Sequence, residues 1–231
     1  MENKSIQAEI ASYIGKLFRD NFGKGPSSVY VSLRQPYFTI YLSDFLAPME
    51  RVLVGQKNYM KVEETRDLLM RELLPDIKAA FSIKTDMEVQ NLYYDWSLPN
   101  RSGIIIGKFK SENTDSHEVL ASADAPNKEA VLKEVVRVSE IAEKVPEFVD
   151  SIYLNERTLL IVREGILVRI EKELIKSGFA EQLRLTKRNL EKSLLNQEIF
   201  GEILGIHVQD VFVDWDFELD KSYIVLILKP K

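Results

Sequence analysis

The sequence predicts an α+β protein built from two copies of one module, each an α-β-β-α-α-β-β series with a four-stranded, mainly antiparallel sheet and helices on one face. Three observations predict it. The chain of 231 residues has two tryptophans, and each closes a similar phrase: "NLYYDW" at Asn91–Trp96 and "DVFVDW" at Asp210–Trp215. Sliding the chain on itself by about 120 residues brings other segments into line in the same order. "SVYVSLRQPYFTIYLSDFLAPMERVL" from Ser28 meets "SIYLNERTLLIVREGILVRIEKEL" from Ser151, "TRDLLMRELL" from Thr65 meets "KRNLEKSLLN" from Lys187, and "VQNLYYDW" meets "VQDVFVDW". Finally, the hydrophobic period alternates between helical and strand spacing in the same sequence in both copies.

Each element follows from its pattern. Ile6, Ile10, Tyr13, Ile14 and Leu17 recur at helical spacing over 4–21, as Val131, Val135, Val138 and Ile141 do over 127–143. Alternating segments come next, Val29–Arg34 with Tyr37–Leu42 and Ile152–Asn155 with Leu159–Arg163, turned by "RQP" and "NER" into hairpins. A two-piece helical region follows, Pro48–Val54 and Val62–Phe81 in the first copy, Leu167–Lys176 and Phe179–Leu204 in the second. Pro48 suits a first helical turn, and Pro75 predicts a kink or break. Strands Val89–Trp96 and Gly103–Phe109 close the first copy, and Val208–Phe217 and Tyr223–Leu228 the second. Residues 1–110 and 127–231 are therefore the expected modules. The polar stretch 111–126, with Pro126 before the next helix, is the expected linker.

Composition narrows the function classes. Residues 1–110 carry 15 Lys and Arg against 13 Asp and Glu, while 111–231 carry 16 against 23. An acidic second half argues against a chain that coats nucleic acid, and an anion is better placed in the first half. With no cysteine, and with His117 and His207 far apart, neither a metal site nor a cofactor is expected. No apolar run reaches the ~20 residues of a membrane-spanning helix, and the N-terminus lacks a signal-peptide pattern, so the expectation is a soluble cytoplasmic protein.

Three constellations could carry chemistry. The first is "RDNFGKGPSS" at Arg19–Ser28, where Gly23, Lys24 and Gly25 can form a backbone concavity for an anion, with Arg19 and Lys16 adding charge. The same letters also read as a helix C-cap followed by a proline-stiffened turn, and they lack the spacing of a phosphate-binding P-loop. The second is a pair of expected structural ion pairs, Arg66 with Asp95 and Arg188 with Asp214, placed by the repeat at like positions of helix and strand. The third is a set of tyrosines, Tyr30, Tyr37, Tyr41 and Tyr93. On a sheet face away from the helices they could stack nucleobases or be covered by protein. Strand alternation puts Tyr93 and Phe212 on that face, where the expectation is burial by the other module or by a second chain through the sheet faces.

"IGKLFRDNFGKGPSSVYVSL", "FLAPMERVL", "ETRDLLMRELLPDIK" and "YYDWSLPNRSGIIIGKF" together resemble the bacterial MpsC domain family. The resemblance is close over residues 5–110, and the second module resembles the family as a diverged copy. It links the chain by name to a sodium-translocating, membrane-potential-generating system. It implies a cytosolic accessory of an ion- or inorganic-carbon-transport system, peripheral to the membrane and partnered by a membrane transport protein, with no catalytic residues to carry over. The leading expectation is thus a non-enzymatic accessory or regulatory protein. The alternatives are an enzyme handling a small anion or nucleotide at Arg19–Pro26 and, behind it, an RNA-binding sheet.

Overall fold

The computed structural model describes residues 2–110, 117, 120 and 126–229. The chain divides into two compact units, residues 1–112 and 113–231. The expected linker lies for the most part outside the described residues.

In the first module the helical spacing of Ile10, Ile14 and Phe18 produces α1 (Glu2–Phe22), with all three side chains buried. Strands β1 (Ser28–Arg34) and β2 (Tyr37–Ser43) form a hairpin in which Ser28 faces Ser43 and Arg34 faces Tyr37. Helices α2 (Pro48–Gly55) and α3 (Tyr59–Thr85) cross the sheet before β3 (Val89–Ser97) and β4 (Ser102–Phe109). The sheet order is β1-β2-β4-β3, antiparallel throughout.

The second module repeats this plan with α4 (Lys128–Ala142), β5 (Phe148–Asn155), β6 (Thr158–Glu164), α5 (Arg169–Lys176), α6 (Ala180–Leu194), α7 (Gln197–Leu204), β7 (Val208–Asp216) and β8 (Lys221–Leu228). Its order, β5-β6-β8-β7, is the same. Starts at Pro48 and Arg169, and at Tyr59 and Ala180, set an offset of 121 residues through the helices; Val89 and Val208 set 119 in the last two strands.

Proline does not break the long helix as its residue type predicts. Helix α3 runs through Pro75, losing one hydrogen bond there, while Met70, Leu73, Ile77 and Phe81 bury its inner face on both sides. The break occurs instead in the second module, where the Asn196 side chain accepts from the amides of Glu198 and Ile199 and starts α7 afresh.

Helices cover one face of each sheet. In the first, Phe38, Ile40, Leu42, Ile105 and Trp96 pack with Ile14, Phe18, Met70 and Phe81. In the second, Leu159, Ile161, Val213, Trp215 and Ile224 pack with Val135 and Phe200. On the opposite faces, Tyr93 is 7% exposed and Phe212 0%, so both rings are out of water. Glycines on β4 make room for rings: a Cβ on Gly107 would lie 2.0 Å from the Phe38 ring, and one on Gly103 would lie 2.3 Å from the Trp96 indole. Phe38 cannot retreat, because it stacks on Phe81 at 4.0 Å and meets Phe109 at 4.8 Å. Gly107→Ala is therefore expected to destabilise the protein by roughly 1–3 kcal/mol through overpacking. Urea unfolding measures the loss, and adding Phe38→Leu to the same chain should restore part of it.

Candidate functional site

Beneath each tryptophan, between sheet and long helix, the two modules hold different chemistry. In the first, the Arg66 guanidinium is fully buried between the rings of Phe45 and Trp96, at 4.7 and 4.6 Å. Its Nε and Nη2 donate to the Glu50 carboxylate at 2.7 Å each, and Nη2 also donates to the Phe45 carbonyl. Glu50 in turn accepts from the Ala47 amide at the start of α2. Phe18 and Phe22 complete an aromatic box around Phe45.

In the second module the same volume holds an ionic network. Arg163, on the helix-facing side of β6, donates to Glu191 at 2.5 Å, to Ser139 at 2.9 Å and to Ser222 at 2.7 Å. Trp215 donates its indole N–H to Glu191 at 3.0 Å. Lys187 meets Glu143, Glu171 at 2.8 Å and Glu191 at 3.6 Å. All of these residues except Glu143 and Glu171 are at most 3% exposed. The repeat offset shows what was exchanged: Ser139, Glu143, Arg163 and Glu191 stand where the first module has Phe18, Phe22, Leu42 and Met70. Lys187 and Glu171 keep the places of Arg66 and Glu50.

Charge balance sets the protonation. Two cations face three carboxyl groups, and the dry site cannot hold the surplus anion cheaply. Burial, reinforced by the hydrogen bond and negative charge of Glu191, pushes Glu143 up to about 9, so its carboxyl is neutral and donates toward Glu191. Burial would raise Glu191 too, but the Arg163 charge, the Glu143 hydrogen bond and Lys187 hold it below the usual carboxylate range. The site is thus a neutral acid beside a carboxylate, held by two cations.

One of the two expected ion pairs is corrected by this geometry. Arg66 pairs with Glu50, not Asp95: strand alternation turns Asp95 to the face away from the helices, where its carboxylate accepts from the Trp96 amide. The helical match behind the pairing was also one residue out of register, since Lys187 rather than Arg188 takes the place of Arg66. Asp214 meets Arg184, one turn earlier on α6 than Arg188, and Arg184 lies over the Phe217 ring. The first module has Glu63 at the Arg184 position, so no like pair can form at Asp95. The buried Arg188 lies on α6 beside Lys187.

The other candidates are dispersed. Lys24 turns to Asp44, bonding its carbonyl at 3.1 Å and approaching its carboxylate at 3.6 Å. The Ser27 hydroxyl and Lys24 hold Asp44 below its usual range. Arg19 lines a groove of about 410 Å³ between α1 and β1 with Lys16, Gly15 and Pro26, whereas Gly23, Lys24 and Gly25 do not line it. Tyr37, Tyr41 and Tyr93 are buried and only Tyr30, stacked on Tyr41, is open at 49% exposure, so the four do not form a platform for bases. His117 stacks on Phe148 and bonds Glu164, and His207 lines a second groove with Glu198 and Glu202. Among the described residues no group of three or more His, Cys, Asp or Glu could hold a metal ion.

A testable pH dependence follows from the network. Folded Glu143 keeps its proton from the usual 4.5 up to about 9, while the unfolded chain releases it near 4.5. Its contribution therefore favours the folded state fully below 4.5 and is lost as pH rises toward 9, at about 1.4 kcal/mol per pH unit. Glu191 acts oppositely: its contribution is present above 4.5 and is lost as pH falls through its depressed value. Glu143→Gln keeps a neutral donor and should flatten the decline in stability between pH 6 and 9, measured by urea unfolding. Glu191→Gln should destabilise by roughly 3–5 kcal/mol at pH 7, because it leaves Arg163 and Lys187 buried without their shared anion.

One protein-family model matches both modules, over residues 2–111 and 130–230, and is described as MpsC: Na+-translocating membrane potential-generating system (MpsC). No curated protein and no solved structure matches the chain. The matched segments take in both sheets and the helices that cover them, aromatic box and ionic network included. A tandem of two such modules, over nearly its whole length, the chain belongs to the MpsC family.

Proposed function

We propose that the chain is a non-enzymatic accessory or regulatory component of a membrane cation- or inorganic-carbon-transport system, working from the cytosolic side against a membrane-embedded transport protein. The observation that carries this reading is the family match over both modules, whose description names a sodium-translocating system. Among the described residues no helix is long and apolar enough to cross a membrane, and the reading assigns translocation to the partner. The ionisable groups nearest to catalytic chemistry, Glu143 and Glu191, line neither the groove beside α1 nor that beside α7. In this reading they belong to the framework of the second module. An enzyme at Arg19–Pro26 would bring Lys24 into a pocket with an acid or base, and Lys24 is instead closed on Asp44 outside the α1–β1 groove.

Affinity capture of the tagged chain from native membranes in mild detergent tests the proposal. A transport protein with several membrane spans should be enriched over a tag-only control, and deleting the chain should lower the sodium-dependent membrane potential of the cells. Capture without any transport protein, together with an unchanged potential in the deletion strain, would overturn it.

A further inference from the structure

We propose that the groove between α1 and β1 of the first module binds a phosphate-class oxyanion through Lys16 and Arg19. The site is independent of the accessory role and stands on its own geometry. Ser12, Gly15, Lys16 and Arg19 lie three or four residues apart and so share one face of α1. Opposite them, Pro26, Ser27, Ser28 and Val29 form the other wall of the roughly 410 Å³ space. That volume is within the range of small-molecule sites.

Charge and donors favour an anion. No carboxylate among the described residues pairs with Lys16 or Arg19, whereas Lys24 and Arg101 both lie within 4 Å of Asp44 and offset its charge. Ser27 donates to Asp44, so the ligand would take the ammonium and guanidinium donors with the hydroxyls of Ser12 and Ser28. A group with three terminal oxygens can accept from several such donors at once, and Arg presents a planar fork suited to it.

The backbone is shaped to leave this space open. Gly15 adds no side chain to the groove floor. Gly25 lets the loop rest on the helix: a Cβ there would lie 2.9 Å from the Gly15 carbonyl oxygen and 3.2 Å from the Arg19 Cβ. The second module keeps the loop proline, as Pro146, and loses the glycines and the free cations. Through the helix, at an offset of 121, it has Val136 for Gly15 and Glu140 for Arg19; in the loop, at an offset of 120, it has Val145 for Gly25 and Glu147 for Ser27, and its counterpart of Lys16, Arg137, is bound to Glu134 through two hydrogen bonds of 2.8 and 2.7 Å. Duplication has thus left one copy with two cations open to the groove and the other with an acid and a bonded arginine at their positions.

The phosphate could come from a free phosphate compound or from a lipid headgroup, and two arms of one experiment separate these. The full chain is titrated with pyrophosphate at constant ionic strength while amide resonances of Gly15, Gly25 and Ser28 are followed. In parallel it is sedimented with phosphatidylcholine vesicles with and without phosphatidylglycerol. Lys16→Gln and Arg19→Gln replace exposed side chains and should leave the thermal transition in place; Arg137→Gln serves as the control. Saturable shifts at these amides, weakened about tenfold by either groove substitution and unchanged by Arg137→Gln, support the site with a soluble ligand. Binding only to phosphatidylglycerol vesicles, with the same dependence on Lys16 and Arg19, supports it with a headgroup. The absence of both responses, or responses indifferent to Lys16→Gln and Arg19→Gln, overturns the proposal.

Discussion

A buried indole at the end of the third strand governs what each module can place between its sheet and its long helix. Trp96 and Trp215 are both 1% exposed, and each leaves space above its ring that its module must fill. The first module fills it with Phe18, Phe22 and Phe45 around a single guanidinium. That cation stacks on two rings and is neutralised by one carboxylate. Gly103 belongs to the same solution, since any larger residue would strike the indole. In the second module Ser222 takes that position and its hydroxyl accepts from Arg163.

The two solutions differ in what they demand of their neighbours. Aromatic packing is tolerant of pairing because it carries few donors, and its strength scales with buried area. An ionic network requires every member: losing one charge leaves its partners desolvated and uncompensated. The second module therefore has a less replaceable interior, although its fold is the same. Burial, together with the neighbouring charge of Glu191, decides that Glu143 is the carboxyl group that keeps a proton.

Much of the fold was legible because periodicity and repetition report it directly. Helical spacing in α1 and α4, strand-length apolar segments bounded by turns and the preserved order of matches specify the α+β tandem. Of the kink or break expected at Pro75, the break does not occur, because residue type speaks only for local cost and the apolar stripe of Met70, Leu73, Ile77 and Phe81 outweighs it. The pairing of Arg66 with Asp95 failed for a sharper reason. Repetition identifies equivalent positions, but contact depends on which face a side chain occupies, and alternation already turned Asp95 away from the helices. The ionic network left one readable trace. Arg163 shares strand parity with Leu159 and Ile161, so an ionisable group had to be buried on the helix side. Nothing in the sequence named Glu191, Lys187 and Glu143 as its neighbours, because they come from two helices distant along the chain. In the glycine loop the residues that composition groups are separated: Lys24 meets Asp44, whereas Arg19 and Lys16 line the groove between α1 and β1.

Glu50 and Glu171 each hold two elements at once. Each accepts from the amide that opens a short helix, at Ala47 or Val168, and each also neutralises the buried cation sixteen residues further on, Arg66 or Lys187. The eight-residue α2 and α5 are too short to persist alone, yet neither can fray in isolation without abandoning a desolvated charge. Short surface helices usually exchange their amide hydrogens through cheap local openings. Here that route is closed, and α2 and α5 are bound into the same cooperative unit as the long helices they precede.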